Sequence, residues 1–152
     1  MSLEPDFDSY KSLMQLAPET VEDIFDDGVA AYARRIAAKP LRRLAPAELR
    51  FLLTNNLALP YAAPLALQAL EGDPFLDTGD YPGDLLVKLL ETDSRFWLER
   101  HDLWLEGIAI LGKAVTRINE RMEEEERNDY LPWHIGDDFM GALLHFREIH
   151  SE

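Results

Sequence analysis

Of the side chains suited to acid–base or metal chemistry near neutral pH, this sequence has four histidines, His101, His134, His145 and His150. No two form the HExxH pattern or stand four apart; His145 and His150 are five apart, about 140° around a helix. A carboxylate-bridged metal bundle wants Glu-x-x-His on paired helices, whereas Glu99 and Glu148 each stand two residues before a histidine. These histidines therefore read as surface or edge residues. The acids Asp73, Asp77, Asp80 and Asp84 recur at intervals of 4, 3 and 4 with prolines between them, which is not the ligand spacing of a calcium loop. They read as structural acids, with Asp84 placed for helix capping and the helix dipole. The serines (Ser2, Ser9, Ser12, Ser94, Ser151) sit in no Gly-x-Ser-x-Gly turn, and no glycine-rich phosphate loop is present. We expect no catalytic residues, no cofactor and no metal.

What remains is charge. The 152-residue chain carries 15 basic and 29 acidic side chains, a formal net charge of −14. Residues 1–28 carry −7, whereas residues 29–50 carry +5 through Arg34, Arg35, Lys39, Arg42, Arg43 and Arg50 against Glu48. Glu123, Glu124, Glu125 and Glu126 form a run of four carboxylates. An acidic chain is ill suited to phosphate backbones or anionic lipid and well suited to a basic protein partner. Solvated faces are the ordinary reading of such runs; a docking surface is the functional one, with Tyr81, Tyr130 or Trp133 as aromatic anchors. The basic island pairs internally with surplus carboxylates, forms a second surface for an acidic partner, or is the interface itself, internal pairing being the first expectation. The absence of cysteine excludes disulfides and thiolate chemistry and fits a cytoplasmic protein. The acidic N-terminus is no signal peptide, and the apolar stretch Leu57 to Leu70 is too short for a membrane span.

The elements that must carry these residues are helical. Val29, Tyr32, Ala33, Ile36 and Ala37 recur at helical spacing after an Asp26-Asp27-Gly28 start, and Pro40 closes that helix. Pro46-Ala47-Glu48 opens the next, with Leu49, Leu52 and Leu53 as its apolar face. The segment from Pro60 to Leu70 is apolar on every side but Gln68, so it should be a central helix, starting between residues 60 and 63 to keep Pro64 in its first turn. Gly72 to Gly83 reads as an irregular loop, and Pro82 as the opening of a helix bearing Leu85, Leu86, Leu89 and Leu90. From Ser94 to about Glu126, an apolar seam joins Trp97, Trp104, Ile108, Leu111, Val115, Ile118 and Met122, carried by one helix or, because Gly107 and Gly112 each weaken a helix interior, by two. Phe139 to Phe146 marks a last helix. The expectation is all-α: a single-domain helical bundle over residues 1–152, of six or seven helices, with residues 1–8 as a mobile end.

One stretch resembles a known family. Lys39-Pro40-Leu41, Glu48-Leu49-Arg50 with Leu52-Leu53, and Leu59-Pro60-Tyr61 running into Pro64-Leu65-Ala66-Leu67 come first. Asp73-Pro74, Gly79-Asp80-Tyr81-Pro82-Gly83-Asp84-Leu85-Leu86 and Phe96-Trp97 follow. Their order resembles the helical immunity proteins of bacterial contact-dependent growth inhibition (CDI) systems, in which a cell delivers a toxin domain into its neighbour. The resemblance implies a non-enzymatic inhibitor that binds a cognate toxin domain stoichiometrically. With the acidic composition, it points to a basic toxin, a nuclease by preference, met by Asp77, Asp80, Tyr81 and Glu123, Glu124, Glu125 and Glu126. A monomer is expected; a helical adaptor that dimerises through the Trp97–Met122 seam is the alternative, and a metal-dependent enzyme built from the loop acids is the more remote one.

Overall fold

The computed structural model describes residues 7–19, 27–128 and 137–150, with the backbone alone for residues 27, 121–128, 137 and 138. Eight α-helices stand among the described residues, and no strand does. They are α1 (Leu13–Leu16), α2 (Asp27–Ala37), α3 (Pro46–Thr54), α4 (Leu59–Gly72), α5 (Asp84–Leu90), α6 (Ser94–Glu99), α7 (His101–Asn128) and α8 (Asp137–Glu148), with a 3-10 turn at Leu41–Arg43. The all-α expectation holds. The one-turn α1 is the element beyond the expected six or seven. It is too short for periodicity to show, and exists because Ser12 and Gln15 cap each other: the Ser12 N–H donates to Gln15 Oε1 at 2.9 Å and the Gln15 N–H to Ser12 Oγ at 3.4 Å.

The apolar helix α4 is the centre. Ala62 to Leu67 and Leu70 are buried, and the helix packs on α3, α5 and α7. It begins at Leu59, one residue before the expected window, so Pro64 falls in its second turn. The proline has no N–H to give the Pro60 carbonyl, but Pro60 is exposed, so water can take that acceptor. The short α5 is buried at Leu85, Leu86, Val87, Leu89 and Leu90 and packs on α3, α4 and α8. It starts at Asp84, two residues after the expected Pro82, because Gly83 in the left-handed region (φ +91°) precedes it.

The break near residue 100 also differs from expectation. Gly107 and Gly112 both lie inside α7, and the chain turns instead at Arg100, between α6 and α7. Gly107 is needed for packing: a Cβ there would stand 2.5 Å from the Phe146 ring of α8. The buried face of α7 comprises Leu103, Gly107, Ile110, Leu111 and Ala114, while Val115 is exposed. The expected seam repeats every 3.5 residues and a straight helix turns every 3.6, so such a seam drifts out of the core along the helix.

Candidate functional site

The expected Gly72–Gly83 loop is braced from within by a residue that sequence reasoning treated as a simple cap. Asp84 opens α5 with a side chain 1% exposed. Its Oδ1 accepts the Thr78 N–H at 3.0 Å; its Oδ2 accepts the Asp80 N–H at 3.0 Å and Arg50 Nη1, from α3, at 2.6 Å. One buried carboxylate thus holds two points of the loop and one neighbouring helix. Burial works to raise the Asp84 pKa, but the donors from Thr78 and Asp80 and the Arg50 guanidinium outweigh it, so the carboxyl is held below its ordinary value. The Thr78 hydroxyl, close by, makes no hydrogen bond of good geometry.

Further contacts complete the frame. The Gly79 N–H donates to Asp77 Oδ1 at 2.8 Å, and Asp77 and Pro82 pair through their backbones. The Gly83 N–H donates to the Phe75 carbonyl at 3.1 Å, and the Phe75 ring would lie 3.1 Å from any Cβ at Gly83. Asp73 Oδ1 accepts the Phe75 N–H at 3.0 Å and Arg117 Nη1 of α7 at 2.9 Å. Two arginines, Arg50 and Arg117, therefore tie opposite ends of the loop to different helices.

Three expected site residues come together on this loop. Asp77 is exposed, the Asp80 side chain is 65% exposed and 3.4 Å from Arg50 Nη1, and Tyr81 is 44% exposed. Glu123, Glu124, Glu125 and Glu126 fall on the last turns of α7, but their side chains lie outside the described residues, as do Tyr130, Trp133 and His134. His101 and His150, forty-nine residues apart and expected as surface or edge residues, meet instead. Their ring centroids are 4.6 Å apart beside Trp104, and His150 Nε2 lies 2.8 Å from the Trp97 carbonyl. Among the described residues, no three His, Asp or Glu side chains converge as a metal site.

The basic island divides. Arg50 pairs with Asp84, and Lys39 Nζ lies 2.7 Å from Glu48 Oε2, while Glu48 Oε1 accepts the Ala45 N–H at 2.8 Å. Arg35 lies over the Tyr32 ring at 5.3 Å and Arg42 over Tyr10 at 4.0 Å; Arg34 and Arg43 are exposed. The side chains the structure describes are nearly balanced, with 13 basic against 15 acidic groups, a net of −2. The rest of the −14 belongs to residues 1–6, 20–27, 121–138 and 151–152.

The geometry defines an all-α domain that presents a small charged loop on a buried ionic brace. A model of the CDI immunity proteins matches residues 17–106, a span that includes α2 to α6 and the whole braced loop, and the chain belongs to that family. No curated protein and no solved structure matches it. No helix among the described residues is long and apolar enough to cross a membrane.

Proposed function

We propose that this protein acts in the bacterial cytoplasm as the immunity partner of one CDI toxin domain, a basic nuclease, which it neutralises by forming a one-to-one complex without doing chemistry on it. Family membership supplies the toxin-binding role. The observation that supports the binding face is the braced loop. Asp77, Asp80 and Tyr81 are held toward solvent by contacts that do not need the partner, so little ordering entropy is lost on docking. Carboxylates fixed in this way match a surface built to receive phosphates, and they speed encounter with it. The run Glu123 to Glu126 adds charge of the same sign.

Co-expression with the toxin domain encoded beside this gene tests the role. Growth should be restored by the wild-type protein, and the two should co-purify as a one-to-one complex. The binding face is tested by Asp77→Lys/Asp80→Lys, expected to slow association and weaken binding by about tenfold or more, with Arg34→Glu/Arg35→Glu as the control that leaves binding unchanged. No relief of toxicity by wild type removes the immunity role. A loop variant that binds like wild type moves the interface elsewhere.

A further inference from the structure

The internal pairs of Arg50 and Lys39 leave Arg42 and Arg43 of the basic island without a partner carboxylate among the described residues, and Arg42 borders a groove. Residues Ser9 to Ser12 run beside the 3-10 turn: the Leu41 N–H donates to the Lys11 carbonyl at 3.0 Å and the Arg42 N–H to the Ser9 carbonyl at 2.9 Å. This pairing brings Tyr10, Lys11, Arg42 and Arg43 to one edge, all exposed, with Tyr10 at 71%. The Arg42 guanidinium carbon stands over the Tyr10 ring, 4.0 Å from its centroid. Neither Arg42 nor Arg43 makes an ion pair among the described residues. The nearby carboxylate of Asp8 turns back to accept the Tyr10 N–H at 3.0 Å. Beside this edge opens a groove of about 400 Å³, lined by leucines such as Leu41, Leu44 and Leu65 together with Ser9, Arg42 and Gln68.

The geometry points to a second docking surface, which takes a segment of the toxin domain carrying a large apolar side chain next to a carboxylate. The identity of the partner rests on the immunity role proposed above; the chemistry rests on the groove. Its lining is mixed, leucine side chains beside the polar groups of Ser9, Arg42 and Gln68, and its size lies within the roughly 300–1,000 Å³ of ordinary binding clefts. An arginine stacked on an aromatic ring keeps the edge of its guanidinium free and oriented for bidentate contact with a carboxylate. Arginine and tyrosine are also the side chains that most often dominate interface energies. In a chain of net charge −14, a local excess, among the described side chains, of Lys11, Arg42 and Arg43 over Asp8 selects a segment of opposite sign and repels the basic surface that the loop acids attract. The two surfaces together would set the orientation of the toxin.

The test is calorimetric titration of the toxin domain into wild type and into Tyr10→Ala/Arg42→Glu. Both side chains are exposed, so thermal melting should be unchanged. The double variant should bind at least about tenfold more weakly, with Arg42→Lys in between. Binding within about twofold of wild type, with the fold intact, overturns the proposal. If wild type itself does not bind the toxin, the immunity role fails, and the groove is decided by a direct probe. Acetyl-Glu-Leu-Asp-Glu-amide should shift the amide resonances of Leu44, Leu49 and Ala69, and the same peptide with Lys in place of its acids should not. Equal or absent shifts from both peptides overturn it. Sedimentation showing self-association that Arg42→Glu abolishes makes a second copy the occupant and overturns the toxin assignment.

Discussion

Arg50 Nη1 and Asp84 Oδ2 lie 2.6 Å apart although thirty-four residues separate them in the chain. The pair joins α3 to α5 across the loop that carries Asp77, Asp80 and Tyr81. Because Asp84 also accepts two loop N–H groups, the contact does more than neutralise a charge: it sets where the loop stands relative to the helices. A buried carboxylate with all its hydrogen bonds made is tolerable, and one that loses them is not.

Asp84→Asn keeps the size of the side chain but removes the charge and turns an NH2 group toward donors. We expect a loss of about 2–4 kcal/mol in urea unfolding, and faster amide exchange at Thr78 and Asp80 than in wild type. A loss below about 0.5 kcal/mol would show that the brace contributes little.

Stability should fall with acid in a defined direction. Burial pushes Asp84 up, yet its donors hold the carboxyl below the ordinary value; Glu48 behaves likewise, burial being outweighed by Lys39 and the Ala45 N–H. A carboxyl lowered in the folded state stabilises fully above its unfolded pKa, about 4, and that contribution is lost as pH falls through the lower folded value. Urea titrations between pH 7 and pH 3 should therefore show the loss concentrated below about pH 4–5, and Asp84→Asn should flatten it. Parallel profiles for wild type and variant would sink this assignment.

The two helix glycines of α7 should respond oppositely to alanine. Gly107→Ala places a methyl against the Phe146 ring, which is itself buried, and should cost about 1–3 kcal/mol despite the better helix propensity. Gly112 faces open space, so Gly112→Ala should stabilise by up to about 1 kcal/mol. Equal effects at both positions, measured by thermal or urea unfolding, would contradict the packing of α7 on α8.

Local signals made most of the helices legible. Pro46 at the first turn of α3, the all-round apolar run of α4 and the leucines of α5 depend on residues within one turn of one another, and such short-range physics is written in the chain. The loop between α4 and α5 was legible for the same reason, through its Gly, Pro and Asp content. What sequence reading misjudged depends on distant partners. The break falls at Arg100, and Gly107 is no breaker but a packing residue, because Phe146, thirty-nine residues beyond it, fills the space a side chain would take. Asp84 looked like an ordinary cap because nothing local reveals that Arg50 will reach it, and His101 and His150 looked unrelated until two helix ends brought them together.

By itself, then, the sequence determined that the protein is helical, that its most apolar segment lies at the centre, and that its charge comes in blocks of opposite sign. Hydrophobic periodicity, turn chemistry and composition act locally and need no partner to be read. Only the tertiary structure decided how each block is used. It spent Arg50 and Lys39 on internal carboxylates and left Arg42 stacked on Tyr10 at the mouth of a groove. It also showed that the described side chains are close to neutral. Pairing between charges is a matter of distance in space, and burial decides which pairs form strongly; neither is a property of spacing along the chain.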